Sequence, residues 1–313
     1  MPSHAQPAGL TDLSKTIDRA HWEGWISRPT EVSRPNVLML HGTGGSRATW
    51  RPVIYALGPR AETWNLVLPD LPGHGKTECH RHQQHGLKEM AQDLQQLLYA
   101  LEIDRVDLVV GHSAGAAVAI WLSLLAQETK SAQDTGPLGS SPTRTAPGAR
   151  TPLSIGRIIG VAPSLVPPPS LYNLLLGPVL NPVFVSTVSV SVLTMLARNT
   201  GMVDRLIRST GSQIPPSQLD AYRQLFQEEN HVRGAIEFMA GTDLPELLKR
   251  GPVLSAELDL LIAEDDPWIP ARVLRSVAMN HFPKARLHYC NGGHLVHEAD
   301  PGPLVKLMAQ AFS

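Results

Sequence analysis

Val106-Asp107-Leu108-Val109-Val110-Gly111-His112-Ser113-Ala114-Gly115-Ala116-Ala117 is the stretch that decides the fold. Val106 to Val110 is an apolar run suited to a buried strand, and the Ala-rich stretch Ala116 to Ala126 suits a helix. Between them the chain must turn sharply. A strand-to-helix turn of this kind holds its central residue in a strained backbone conformation, and small neighbours are needed so that no side chain collides inside it. Gly111 and Gly115 meet that need. The spacing therefore predicts a nucleophile elbow, with the Ser113 hydroxyl at the carboxyl edge of a sheet. The N-terminus of the following helix would face any negative charge that develops beside it. The plain alternative is an ordinary serine in a Gly-rich turn.

An elbow serine needs a base, an orienting acid and donors for an oxyanion, each delivered by a strand end. Upstream, Asn36 to Leu40 reads as a buried parallel strand running into the loop His41-Gly42-Thr43-Gly44-Gly45. The oxyanion hole is assigned to the backbone N–H groups of Thr43 and Ala114. Downstream, Leu258 to Ile262 is another strand, and its exit loop carries Glu264, Asp265 and Asp266, all three candidates for the acid. The last strand, Ala285 to Cys290, ends in Asn291-Gly292-Gly293-His294. Two glycines let that loop swing an imidazole over the elbow, so His294 is the expected base and His297, three residues deeper, is not. His112 is expected to pack and hydrogen-bond, with its ring turned away from the Ser113 hydroxyl. Asp70, in the turn after the fourth strand, is read as structural.

With these residues in place the chain resembles the α/β-hydrolase superfamily from about residue 30 onward. The resemblance rests on the elbow, His41-Gly42-Thr43-Gly44, Pro69-Asp70-Leu71-Pro72-Gly73-His74-Gly75, and Gly293-His294. It implies an α/β fold: a mostly parallel sheet flanked by helices, with a helical cap inserted after strand six. It also implies the chain order nucleophile, acid, base. The superfamily places its acid four residues before the second proline of the exit loop, which selects Asp266 before Pro270, with Asp265 as the alternative. Within the superfamily the chain is most similar to the magnesium-chelatase accessory proteins of bacteriochlorophyll biosynthesis, through His41 to Trp50, Asp70 to Glu78, Gly111 to Ile120 and the cap stretch from Arg205 to Leu244. That similarity implies a pigment-synthesis setting, a tetrapyrrole as the small apolar ligand and association with magnesium chelatase. It supplies no reaction.

Composition sets limits on these readings. A chain of 313 residues can form one core plus a lid, and a net charge of -1 offers no basic surface for nucleic acid. Cys79 and Cys290 are too far apart in sequence to suggest a disulfide or metal pattern, and Met1 to Leu13 lacks the features of a secretion signal, so a cytoplasmic protein is expected. Residues 1–162 and 251–313 are read as the core, with 127–152, rich in Gly, Pro, Ser and Thr, as a disordered loop. Residues 163–250 are read as the cap. No charged residue occurs between Arg157 and Arg198, yet prolines break that stretch too often for a membrane span. A greasy lid over an apolar pocket, or peripheral contact with a membrane surface, is the functional reading; simple packing on the core is the structural one. Tyr172, Met195, Phe238 and Trp268 are candidates to line the pocket. His80, His82 and His85 cluster on a polar loop, and no metal site is expected from them because magnesium prefers oxygen ligands.

The expected activity is serine hydrolysis of an ester-like bond without a cofactor. Its rivals are a non-catalytic accessory protein that binds a porphyrin intermediate, and a carbon–carbon bond hydrolase or cofactor-free haloperoxidase.

Overall fold

The computed structural model describes residues 6–7, 9–17, 20–27, 31–78, 86–134, 151–166 and 200–312. Eight strands form one sheet in the order β1-β2-β4-β3-β5-β6-β7-β8. They are β1 Leu10–Ile17, β2 Ala20–Ser27, β3 Asn36–Leu40, β4 Asn65–Pro69, β5 Arg105–His112, β6 Ser154–Val161, β7 Glu257–Ala263 and β8 Arg286–Cys290. From β4 to β8 every pairing is parallel, and β3, β5, β6 and β7 are apolar along most of their length because helices cover both faces. The amino-terminal hairpin is the exception: β1 pairs antiparallel with β2, and β2 antiparallel with β4.

Helix α1 spans Arg51–Leu57, α2 Leu87–Ala100 and α3 Ala114–Asp134. On α2 the stripe Leu87, Met90, Leu94, Leu97 and Leu98 is buried against the core, each large side chain contributing roughly 1.5–3 kcal/mol. Among the described residues four helices of the cap follow β6: α4 Thr200–Ser209, α5 Pro216–Leu225, α6 Glu229–Ala240 and α7 Leu244–Arg250. The chain closes with α8 Ala271–His281, α9 Val296–Ala299 and α10 Gly302–Gln310. Among the described residues no helix is long and apolar enough to cross a membrane.

The expected start of the polar loop is corrected. The loop predicted from Gln127 starts too early, since α3 continues to Asp134. Its polar last turns are held from outside: Gln127 bonds the Val253 carbonyl and the Ser255 N–H, and Glu128 pairs with Arg250. Such partners let a segment without a large apolar face stay helical. Residues 135–150 lie outside the described residues, as do the uncharged stretch from 167 to 199 and the histidine cluster His80, His82 and His85.

Candidate active site

The elbow forms as its spacing requires. Ser113 follows β5 at the centre of the sheet and has φ 51°, a left-handed conformation that costs a non-glycine residue on the order of 1–3 kcal/mol. A side chain on Gly111 would come within 2.5 Å of the Gly115 carbonyl, and one on Gly115 would collide with the Leu40 and His41 carbonyls at the end of β3. Both neighbours must be glycine. The Ser113 backbone is tied to the next strand, its N–H donating to the Val161 carbonyl (2.9 Å) and its carbonyl accepting from Ser164 (3.0 Å).

Three side chains converge at the carboxyl edge. The Ser113 hydroxyl lies 2.9 Å from His294 Nε2, and His294 Nδ1 lies 2.7 Å from Asp266 Oδ2. Asp266 and His294 are buried, with side-chain exposures of 2% and 4%. The second carboxylate oxygen of Asp266 accepts the N–H groups of Trp268 (2.8 Å) and Ile269 (2.9 Å), which fixes the group and leaves Oδ2 for the imidazole. Asp265 is exposed and accepts the Gly292 N–H instead of bonding His294. A carboxylate at Nδ1 demands a proton there, so Nε2 is free to accept the serine proton.

The His294 loop is braced by the cap. Its backbone N–H donates to the Thr210 carbonyl (2.8 Å), Leu295 N–H donates to Ser212 Oγ (2.8 Å), and a side chain on Gly293 would collide with Thr210 and Gly211. His112 turns away from the serine hydroxyl, as expected, and its Nε2 donates to the His294 carbonyl (2.9 Å). Burial, then the neighbouring His297 and His294, holds His112 well below the usual histidine range. Burial brings His297 down to about 3 and His41 to about 4. The histidines packed around the elbow are thus neutral, and among the described residues a positive charge formed on His294 pairs with Asp266.

Opposite the serine lies the loop after β3. A Cβ on Gly42 would stand 2.9 Å from Ser113 Cβ, so the backbone of this loop touches the elbow directly. Thr43 is the next residue and Ala114 opens α3. Neither N–H donates to a backbone carbonyl or side chain among the described residues, and the helix N-terminus adds its positive dipole end at Ala114.

The remaining candidates divide. The Trp268 ring lies 5.3 Å from that of His294. Phe238, expected to line a pocket, is instead fully buried and set edge-on to His74 in the core, because α6 uses it to pack the cap down. Tyr172 and Met195 lie outside the described residues. Asp70 is structural: its buried carboxylate takes the Arg47 and Lys76 N–H groups and pairs with the Arg47 guanidinium. Among the described residues no group of three or more histidine, cysteine or acidic side chains is placed to hold a metal. Sequence reasoning missed the bracing by Thr210 and Ser212 and the cap histidine His231, none of which carries a local signal.

Comparison with known proteins agrees with this architecture. The model of the alpha/beta hydrolase family matches residues 37–307. The Magnesium-chelatase 30 kDa subunit of Rhodobacter capsulatus is 27% identical over 274 residues, 88% of this chain and 85% of that protein. Among solved structures, the 2-hydroxy-6-oxo-6-phenylhexa-2,4-dienoate hydrolase of Rhodococcus sp. strain RHA1 superposes with a TM-score of 0.68 at 17% identity, covering 97% of this chain and 99% of that one. The enol-lactonase of Burkholderia xenovorans LB400 gives 0.65 at 16% identity, covering 94% and 96%. At these identities the structural matches speak for the fold.

Proposed function

We propose that this chain, which belongs to the alpha/beta hydrolase family, is a serine hydrolase of ester-like bonds in an apolar substrate, with Ser113 as nucleophile, His294 as base and Asp266 as orienting acid. The observation that carries the reading is the continuous hydrogen-bonded line from Asp266 through His294 to Ser113, at 2.7 and 2.9 Å. In the first step the Ser113 proton moves to His294 Nε2 while Oγ bonds to the carbonyl carbon. The carbonyl oxygen becomes an oxyanion facing the Thr43 and Ala114 N–H groups. His294 then hands its proton to the leaving oxygen as that bond breaks. Water repeats the sequence: His294 takes its proton, hydroxide attacks the acyl carbon, and the proton returns to Ser113 as the acid departs. Removal of one oxyanion donor typically costs about 100-fold or more in rate, so the loop after β3 matters as much as the three side chains.

The apolar character of the substrate is supported by the uncharged stretch between Arg157 and Arg198 and by the Trp268 ring beside His294. The similarity to a protein named as a magnesium-chelatase subunit favours a second reading, in which the pocket holds a tetrapyrrole and the chain acts beside a chelatase. Hydrolysis of p-nitrophenyl esters of increasing chain length tests the first reading, with Ser113→Ala as control. Saturable quenching of tryptophan fluorescence by protoporphyrin, retained in Ser113→Ala, tests the second. Ester turnover without such quenching leaves the hydrolase alone standing; quenching without turnover leaves the binding protein.

A further inference from the structure

The loop His41-Gly42-Thr43-Gly44-Gly45 carries a proposed oxyanion donor on a backbone rich in glycine. Gly44 sits at φ 73°, and such a segment has wide conformational freedom unless something holds it. Two histidines hold it, one from each side. His41 Nε2 accepts the Leu71 N–H (2.9 Å), which puts the ring proton on Nδ1, and Nδ1 donates to the Gly42 carbonyl (2.9 Å). His231 reaches in from cap helix α6. Its Nδ1 accepts the Gly75 N–H (3.1 Å), so its ring proton is on Nε2, which donates to the Gly44 carbonyl (3.3 Å).

Peptide planarity turns these contacts into a linkage. The Gly44 carbonyl and the Gly45 N–H belong to one rigid unit. That N–H donates to the Gly42 carbonyl (3.0 Å), whose own rigid unit ends in the Thr43 N–H. Because the carbonyl and N–H of a trans peptide point in opposite directions, fixing the Gly42 oxygen aims the Thr43 N–H. Holding Gly44 from the cap thus steadies the direction of a hydrogen two peptide units away.

We propose that His231 is a positioning residue for the oxyanion hole, through which docking of the cap sets the aim of the Thr43 N–H. The placement of the ring is closely determined. His231 is fully buried, and one turn along α6 a side chain on Gly234 would collide with the Gly73 backbone, so the helix lies backbone to backbone on the core. Phe226 flanks the ring at 5.5 Å and its tip lies 3.4 Å from where a Cβ of Gly44 would stand. Burial, then His74 and His41, keeps the imidazole neutral, as two opposed hydrogen bonds require.

The proposal rests on Ser113 acting as nucleophile, so the test carries its own control. Three variants, His231→Ala, His231→Gln and His231→Asn, are compared with wild type in p-nitrophenyl butyrate hydrolysis and in the rate of Ser113 labelling by a fluorophosphonate. A glutamine amide can reach as far as Nε2 and an asparagine amide only as far as Nδ1. His231→Ala and His231→Asn are expected to lower kcat by about 10- to 100-fold with KM changed less than about threefold. His231→Gln is expected to restore kcat to within about threefold of wild type. Should His231→Ala fail to fold, the glutamine and asparagine pair decides alone. Equal kcat in those two variants, or a loss confined to KM, overturns the proposal. A wild type that labels and turns over while every His231 variant matches it refutes the positioning role and leaves the hydrolase reading intact. A wild type that neither labels nor turns over removes that reading and takes this one with it.

Discussion

Asp266→Asn separates geometry from chemistry at this site more sharply than any deletion. The amide oxygen can keep the Trp268 and Ile269 N–H groups now held by Oδ1, so the loop retains its anchor. The amide nitrogen then faces His294 Nδ1, where a carboxylate oxygen stands at 2.7 Å. Two donors cannot share that line, so the imidazole must carry its proton on Nε2 and present a donor, not an acceptor, to Ser113. In serine proteases the corresponding change lowers kcat by about 10⁴-fold, and the same loss here amounts to about 5.4 kcal/mol of activation free energy. Stability should fall by no more than about 1–2 kcal/mol, since one charge-assisted bond to a neutral ring is exchanged. The assay is steady-state ester hydrolysis alongside urea unfolding. Asp265→Asn is the paired control, because that exposed side chain accepts the Gly292 N–H and does not bond His294, so kcat should change less than about threefold. A loss under tenfold in Asp266→Asn, or a larger loss in Asp265→Asn, would refute the assignment of the acid.

Gly115→Ala places a methyl group against the Leu40 and His41 carbonyls, which are backbone and cannot yield; a loss of about 1–3 kcal/mol or more in urea unfolding is expected, with slower fluorophosphonate labelling of Ser113. Burial raises the Glu298 carboxyl from 4.5 to about 7, against the opposing donors Tyr222 and Gln218 of α5. Its folded value is above its unfolded one, so the native state is favoured by protonation: the stabilisation is complete below about pH 4.5 and is lost as pH rises through about 7. The loss at high pH is on the order of 3 kcal/mol, and Glu298→Gln should flatten the fall in urea midpoint between about pH 5 and 8. An unchanged slope in the variant would place the titrating group elsewhere.

The elbow was readable because its requirement is local: a left-handed serine needs small residues two positions away on each side, and Gly111 and Gly115 stand there. His294 was readable for a similar reason, since two glycines after a final strand leave one imidazole free to reach the sheet edge. The hairpin β1–β2 escaped notice because β1 is an edge strand with only Leu10 and Leu13 buried, too few for a clear alternation. The end of α3 was placed too early because its last turns depend on Arg250, Val253 and Ser255, more than 100 residues away. Phe238 was assigned to a pocket as a residue of the cap, whereas the inward face of α6 is set by how closely Gly234 meets Gly73. His231 belongs to the same class. Nothing beside it in sequence says that its ring ends against Gly44, 187 positions back.

The central claim is that Ser113 is an activated nucleophile. Incubating the full chain with a fluorophosphonate and mapping the adduct by peptide mass spectrometry tests it directly, because only a serine whose proton can pass to a base reacts at an appreciable rate. A single adduct on Ser113, absent from Ser113→Ala and strongly slowed in Asp266→Asn, is the predicted result. An adduct on another residue, or a wild type that stays unlabelled while correctly folded, would contradict the account.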